Sequence, residues 1–285
     1  MTNTPSKLAV ITGPTSGIGL AFAHKLAKQN YKLLLIARSK TKVHHTAKLL
    51  KHEYNIDVNY LVADLANDND ICRVENKLKN LNNIELLINN AGFGLAGFFM
   101  EISLEEQLKM LNVHIACTIR FSKAVLPAMI RQKKGYIINL SSFAAFMELP
   151  GTVMYSTTKA AIIKFSQTLQ SEVVKYGIKI QALSPGFTPT AFHTSINRET
   201  EFIDRVPSFL WTPIQQVVDT SLARLNTNKV ICIPGTINTM LFWLNKAPFL
   251  SRWIQHIAAK RQKEQACSTA IIANEDLQKT AATVT

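Results

Sequence analysis

A tyrosine and a lysine stand four residues apart in the stretch YSTTK, as Tyr155 and Lys159. On a helix that spacing puts both side chains on one face, one above the other. An ammonium beside a phenol stabilises the phenolate and draws its pKa down from ~10 toward neutrality. A tyrosine tuned in this way can give a proton to an oxygen or take one from it. Ser142 precedes the pair, at the end of the apolar run GYIINL, and its hydroxyl can hydrogen-bond the same oxygen across a cleft. Between them FAAFMELPGTVM is an apolar loop suited to lining one wall of a pocket. A Y-x-x-x-K pair is weak evidence by itself, because helices carry such pairs by chance, so the elements that position it decide its meaning.

Those elements alternate. Near-continuous apolar runs at residues 7–12, 32–37, 57–64, 84–90, 135–141 and 178–184 read as strands covered on both faces. Helical patterns at 17–29, 41–53, 69–79, 103–130 and 152–176 separate them, and Ser103 with Glu106 forms a capping box for the fourth. Strict alternation of strand and helix predicts an α/β fold, a doubly wound and mostly parallel sheet with helices on both faces. Such sheets bind ligands beyond the carboxyl ends of their strands, which is where Ser142 falls.

The first strand opens into TGPTSGIG. Gly13, Gly17 and Gly19 let the backbone turn tightly and approach a pyrophosphate at the N-terminus of the following helix. The second strand ends LLLIARSK, with Arg38 where an acid would hold a ribose 2′-hydroxyl, and Ser39 and Lys40 beside it. No carboxylate repels an added 2′-phosphate, so NADP(H) is expected, with NADPH preferred over NADH.

Composition narrows the class. The 285 residues are 47% hydrophobic and 18% charged, as in a globular domain. The net charge of +13 is spread along the chain rather than gathered into a run, so no nucleic-acid partner is expected. Cys72, Cys117, Cys232 and Cys267 lack metal or disulfide spacing, and the apolar run at the N-terminus stops at Gly13. Reduced thiols and a cytoplasmic location are the expectation. His44, His45 and His52 read as a solvated helix face with no metal. His193 lies in the segment expected to cover a substrate.

Taken in order, TGPTSGIG, the Asp64–Leu65 pair, NNAG (89–92), Asn112 in MLNVHIA, Ser142, YSTTK and SPGFTPT (184–190) resemble the short-chain dehydrogenase/reductase family over residues 7–235. The resemblance implies a carbonyl–alcohol oxidoreductase in which Ser142, Tyr155, Lys159 and Asn112 are catalytic, Asn112 holding a water that links Lys159 to solvent. It implies that Asp64 holds the adenine edge, that Asn89, Ala91 and Gly92 line the ribose side, and that Lys159 binds the nicotinamide ribose. Ile18 would pack behind the pyrophosphate turn. Pro185, Gly186 and Thr188 would meet the carboxamide, and Thr190 would sit near the phosphates. Thr15, Ser16 and Leu65 complete the cofactor contacts, and a homodimer or homotetramer is expected.

Residues 1–235 are thus expected to form one catalytic domain, with a Phe- and Trp-rich lid at about 187–225. That lid implies a hydrophobic carbonyl or alcohol substrate: a 3-oxoacyl thioester, a fatty ketone or aldehyde, or a steroid-like ring. Residues 236–264 read as an amphipathic helical extension, with Leu250, Trp253, Ile254 and Ile257 on one face, and 265–285 as a disordered tail. The helix is expected to pack on the domain or an oligomer partner. A competing reading lays 237–263 on an anionic membrane surface, peripherally. A non-catalytic NADP(H) sensor is the alternative function, and the intact Ser142–Tyr155–Lys159 set argues against it.

Overall fold

The computed structural model describes residues 7–95, 97–190 and 206–245. Seven parallel strands, β1 (Leu8–Thr12), β2 (Lys32–Ala37), β3 (Val58–Val62), β4 (Ile84–Asn89), β5 (Gly135–Leu140), β6 (Ile178–Leu183) and β7 (Ile231–Cys232), form one sheet in the order β3-β2-β1-β4-β5-β6-β7. The order reverses direction between β1 and β4, so the first glycine turn and the end of β4 open into one crevice.

Period-two alternation divides the apolar residues of each strand between two core layers. On β1, Leu8 and Val10 pack into one layer with α3 (Asp68–Lys79) and α5 (Cys117–Gln132), through Ile71, Val74, Phe121 and Val125. Ala9 and Ile11 enter the other, with α1 (Gly17–Lys28), α2 (Lys40–Tyr54) and α7 (Ile214–Arg224), through Phe22, Leu26, Val43, Val217 and Val218. Burial of each such side chain contributes about 1.5–3 kcal/mol as an upper estimate. The sheet therefore carries helices on both faces, as the alternation predicts.

Two differences from the expected elements matter. The helix expected at 103–130 is broken into α4 (Leu104–Leu111) and α5 by a π-helical turn at Asn112–Ala116. Such a turn inserts an extra residue and rotates the helix beyond it, a device common near functional sites. Leu104–Gln132 is long and apolar enough to cross a membrane, but half of its most apolar stretch is buried in the domain, as in a core helix. The segment expected as a lid at 187–225 divides: α7 belongs to the body of the domain, with Val217 and Val218 fully buried and Asp219 paired to Lys25 at 2.6 Å. Residues 191–205, including His193, lie outside the described residues, as do Leu250, Trp253, Ile254, Ile257 and the tail.

One compact unit runs to Thr239 and a second begins at Met240. The last described helix, α8 (Thr236–Asn245), spans that boundary and leaves Met240 and Trp243 exposed.

Candidate active site

The glycine turn is set by its backbone. Gly13 and Gly17 adopt φ of +65° and +54°, the left-handed region that a side chain disfavours. A Cβ on Gly17 would stand 3.2 Å from Thr190, which places the SPGFTPT loop against the turn. At Gly19 the space is tighter, since a Cβ would meet the Gly13 carbonyl oxygen and Asn90 Nδ2. Thr12 and Asn90 brace the turn from beneath. Thr12 Oγ1 accepts from the Asn90 and Ala91 amides, both at 2.9 Å, and Asn90 Nδ2 donates to the carbonyls of Thr12 at 2.9 Å and Gly13 at 3.0 Å. Asn90 lies within NNAG, but adjacent asparagines at a strand end leave the sequence no means of saying which one faces the turn.

Asn89 is the one that does not. Expected on the ribose side, it is buried, and its Nδ2 is directed at Asn139 Oδ1 (2.8 Å) and Ser122 Oγ (3.4 Å). Asn139 Nδ2 continues the chain to Ser166 Oγ at 3.0 Å, so this polar ladder ties β4 and β5 to α6 (Val153–Val173). The side chain of Leu65 likewise lies in the core rather than in the crevice. Ala91 and Gly92 do reach the crevice, beside Gly13 and beside Lys159, respectively.

Asp64 lies in the loop after β3. Its Oδ1 accepts from the Ala66 amide at 3.1 Å, while its own amide donates to Asp70 Oδ2 at 2.7 Å. Arg38 is exposed just before α2, whose first turn Ser39 caps by accepting from the Lys42 amide. Thr15, Ser16 and Ile18 lie on or beside the glycine turn, with Ser16 exposed. Beyond β6, the Pro185 carbonyl accepts from the Phe143 amide at 2.8 Å, and Thr188 Oγ1 donates to the Gly186 carbonyl at 3.1 Å, so the loop is held against the Ser142 side of the cleft.

Ser142, Tyr155 and Lys159 converge. The Ser142 hydroxyl hydrogen-bonds the Tyr155 phenol and also accepts from the Ala144 amide at 3.2 Å. Lys159 Nζ sits 5.6 Å from the centre of the Tyr155 ring and donates to the Leu140 carbonyl at 2.9 Å. Ser141 Oγ holds the Lys159 carbonyl at 2.8 Å, fixing α6 to the end of β5. Asn112 opens the π turn, half-buried. Burial decides the electrostatics of the pair. It pushes the Tyr155 phenol above its usual value, against the hydrogen bond from Ser142, and pulls the Lys159 ammonium down to about 7. The lowered phenol expected from an adjacent ammonium is therefore outweighed here by desolvation.

Lys159 also makes stability depend on pH. The ammonium is disfavoured in the folded chain, so the folding penalty is complete below pH 7, where both states are charged. It declines as pH rises from about 7 toward the ordinary lysine value of 10.5. Lys159→Met should raise Tm by roughly 4–10 °C at pH 6 and by less at pH 9. Thermal melts at the two pH values check this, and a gain that grows with pH would contradict it.

Beside Tyr155, the apolar side chains of Leu95, Phe99, Ile102, Val153 and Met154 gather with Gln107 and Thr152 around a cavity of only about 10 Å³. Phe143 and Phe146 pack edge-to-face at 6.0 Å on the loop that comes after Ser142. Among the described residues no His, Cys, Asp and Glu cluster could hold a metal, and His44, His45 and His52 are exposed along α2. One buried group at the site carried no motif signal. A Cβ on Gly92 would lie 2.8 Å from His114 Nε2 and 3.6 Å from Lys159 Nζ, so His114 is a close neighbour of the tyrosine and lysine.

Known proteins resemble this chain in sequence and in fold. The model of the short chain dehydrogenase family matches residues 7–201. The very-long-chain 3-oxoacyl-CoA reductase of Rattus norvegicus is 32% identical over 238 residues, which cover 82% of this chain and 75% of that one. A short-chain dehydrogenase from Sphingobium yanoikuyae, solved in complex with NADPH, superposes with a TM-score of 0.73 at 27% identity, covering 91% of this chain and 95% of that one. The bulky-bulky ketone specific alcohol dehydrogenase from Comamonas testosteroni superposes at 0.70 with 26% identity, covering 90% and 93%.

Proposed function

This chain belongs to the short-chain dehydrogenase family and is an oxidoreductase acting between carbonyl and alcohol; from that premise we propose that it uses NADP(H) to reduce a hydrophobic carbonyl, a 3-oxoacyl thioester before a fatty ketone, aldehyde or steroid-like ring. The observation that carries the reading is the convergence of Ser142, Tyr155 and Lys159 at the carboxyl end of β5, beside the apolar side chains of Leu95, Phe99, Ile102, Val153 and Met154. The names of the relatives, a very-long-chain 3-oxoacyl-CoA reductase and a bulky-ketone dehydrogenase, support a large apolar substrate.

The residues present fit a dinucleotide. Gly13 and Gly17 give the turn the left-handed backbone that brings its amides close to a pyrophosphate, and among the described residues buried Lys159 has a single acceptor, Leu140, for its three donors. Arg38 and Ser39 would hold the 2′-phosphate, the turn from Gly13 to Gly19 the pyrophosphate, Asp64 the adenine edge, and Lys159 the nicotinamide ribose. The bound dinucleotide supplies the hydride. Tyr155 gives the proton to the carbonyl oxygen, Ser142 orients that oxygen, and Lys159 with Asn112 renews the proton on the tyrosine. The apolar side chains beside Tyr155 would lie along the acyl chain and exclude water from the reacting carbon. A second copy of the chain has a candidate docking face on α4 and α5, where Leu104, Leu108 and Ile119 are exposed, in keeping with a homodimer or homotetramer.

Oxidation of NADPH measured against 3-oxoacyl-CoA substrates of increasing length tests the reading. kcat/KM should rise with chain length, and a preference for short polar ketones would refute it. NADPH should bind more tightly than NADH by ~1.5–3 kcal/mol, the usual contribution of hydrogen bonds to a charged group. Arg38→Asp should erase or reverse that preference, as read from the two dissociation constants.

A further inference from the structure

Building on the reductase reading, we propose that His114 is a positioning residue that sets the tyrosine of the relay through Thr158. His114 lies on the π turn, is 1% exposed, and touches three residues of the site, one on the loop after β4 and two on α6. Its Nε2 stands 3.1 Å from the Phe93 amide of the loop after β4. Its Nδ1 stands 2.9 Å from Thr158 Oγ1 on α6. Its ring meets the Tyr155 ring edge-on, with centroids 6.0 Å apart and planes at 74°.

Donors and acceptors admit one assignment. The Phe93 amide can only donate, so Nε2 is the unprotonated acceptor. Thr158 Oγ1 spends its single proton on the Tyr155 carbonyl at 2.9 Å, so it must accept at its other contact. Nδ1 therefore carries the hydrogen. The series runs from the Nδ1 hydrogen to the Thr158 hydroxyl to the Tyr155 carbonyl, with every member satisfied. A second proton on the ring would face an amide hydrogen and the neighbouring ammonium. Burial first, and the Lys159 charge second, hold the imidazole well below its ordinary range. The charged or titratable groups facing it are Lys159 and Tyr155, both on α6; the β4 loop contributes the Gly92–Phe93 backbone and the uncharged Phe93 ring, edge-on at 5.9 Å.

The consequence is geometric. Tyr155 lies in the first turn of α6, where helix ends fray, and its phenol must meet both Ser142 and a substrate oxygen. The His114–Thr158 bond, continued by Thr158 to the Tyr155 carbonyl, ties that first turn to the π turn ahead of α5, and the ring edge limits rotation of the phenol. The π turn is what aims His114 inward, which gives this break in the helix a role.

Three measurements test the proposal. Nitrogen-15 spectra of histidine-labelled protein should show His114 as one neutral tautomer, protonated on Nδ1, throughout pH 5–9; an Nε2-protonated or titrating ring overturns the assignment. His114→Leu keeps the bulk and removes both polar contacts, and should lower kcat roughly 30-fold while the NADPH dissociation constant changes less than about 3-fold. His114→Asn, which can still donate to Thr158, should recover most of kcat. Should the His114→Leu variant fail to fold, Thr158→Val removes the same bond from the other side and should give a similar loss in kcat. Native kcat in Thr158→Val, or in a folded His114→Leu, overturns the inference. Tyr155→Phe assayed alongside separates the two failures: an active Phe variant overturns the reductase mechanism itself, whereas an inactive one beside a fully active Thr158→Val overturns the role of His114 alone.

Discussion

Tyr155→Phe is expected to lower kcat by about 10³-fold or more while NADPH binding stays within a small factor of the native value. The substitution removes one oxygen and keeps the ring that packs against His114. General acid catalysis by a positioned group is worth about 10²–10⁴-fold, and here the same hydroxyl is the partner of Ser142. A loss in kcat with unchanged cofactor affinity is the signature of an interaction used in the transition state alone. The raised phenol adds a dependence on pH. Because burial keeps the proton on Tyr155, the acid form needed for reduction persists to alkaline pH, and reduction should hold up there better than oxidation of the alcohol at neutral pH. Stopped-flow turnover with NADPH and fluorescence titration of the cofactor measure both halves. Activity in the Phe variant within about 10-fold of native would show that another group delivers the proton.

Gly19→Ala is expected to abolish cofactor binding by the opposite route, leaving the tyrosine set intact. The added methyl would meet the Gly13 carbonyl oxygen and Asn90 Nδ2, and the first of these is backbone. Neither neighbour is free to move. Gly13 is held in the left-handed region at φ +65°, and Asn90 Nδ2 already binds the carbonyls of Thr12 and Gly13. Relief of the clash must displace the turn or break that brace, so the NADPH dissociation constant should rise at least about 100-fold, with a loss of stability of ~1–3 kcal/mol from overpacking. Calorimetric titration reads the first effect and thermal melting the second. Native affinity for NADPH in the Ala variant would mean that the turn does not hold the pyrophosphate.

The parts of this protein visible in its sequence are those fixed by local chemistry. Apolar runs at strand length, separated by amphipathic stretches, required a parallel sheet covered on both faces, because only that arrangement buries a strand apolar on both sides. The glycines of TGPTSGIG announced a turn, since a left-handed backbone tolerates little else, and the four-residue spacing of Tyr155 and Lys159 is enough to put them on one helix face. What the sequence left open depends on contacts between distant segments. Asn89 and Asn90 are adjacent and chemically identical. Only the register of β4 between β1 and β5 sends one into the ladder with Asn139 and the other to the glycine turn. The stretch seen as α7 reads in sequence as part of a lid, and the sheet face that buries Val217 and Val218 decided otherwise. The ammonium beside the phenol suggested a lowered tyrosine, yet desolvation depends on everything packed around a group and reversed that balance. His114 carried no motif at all. Its role arises because one extra residue in a helical turn rotates an ordinary histidine inward, between a loop amide and a threonine 44 positions away, and a relation of that kind exists only once the chain is folded.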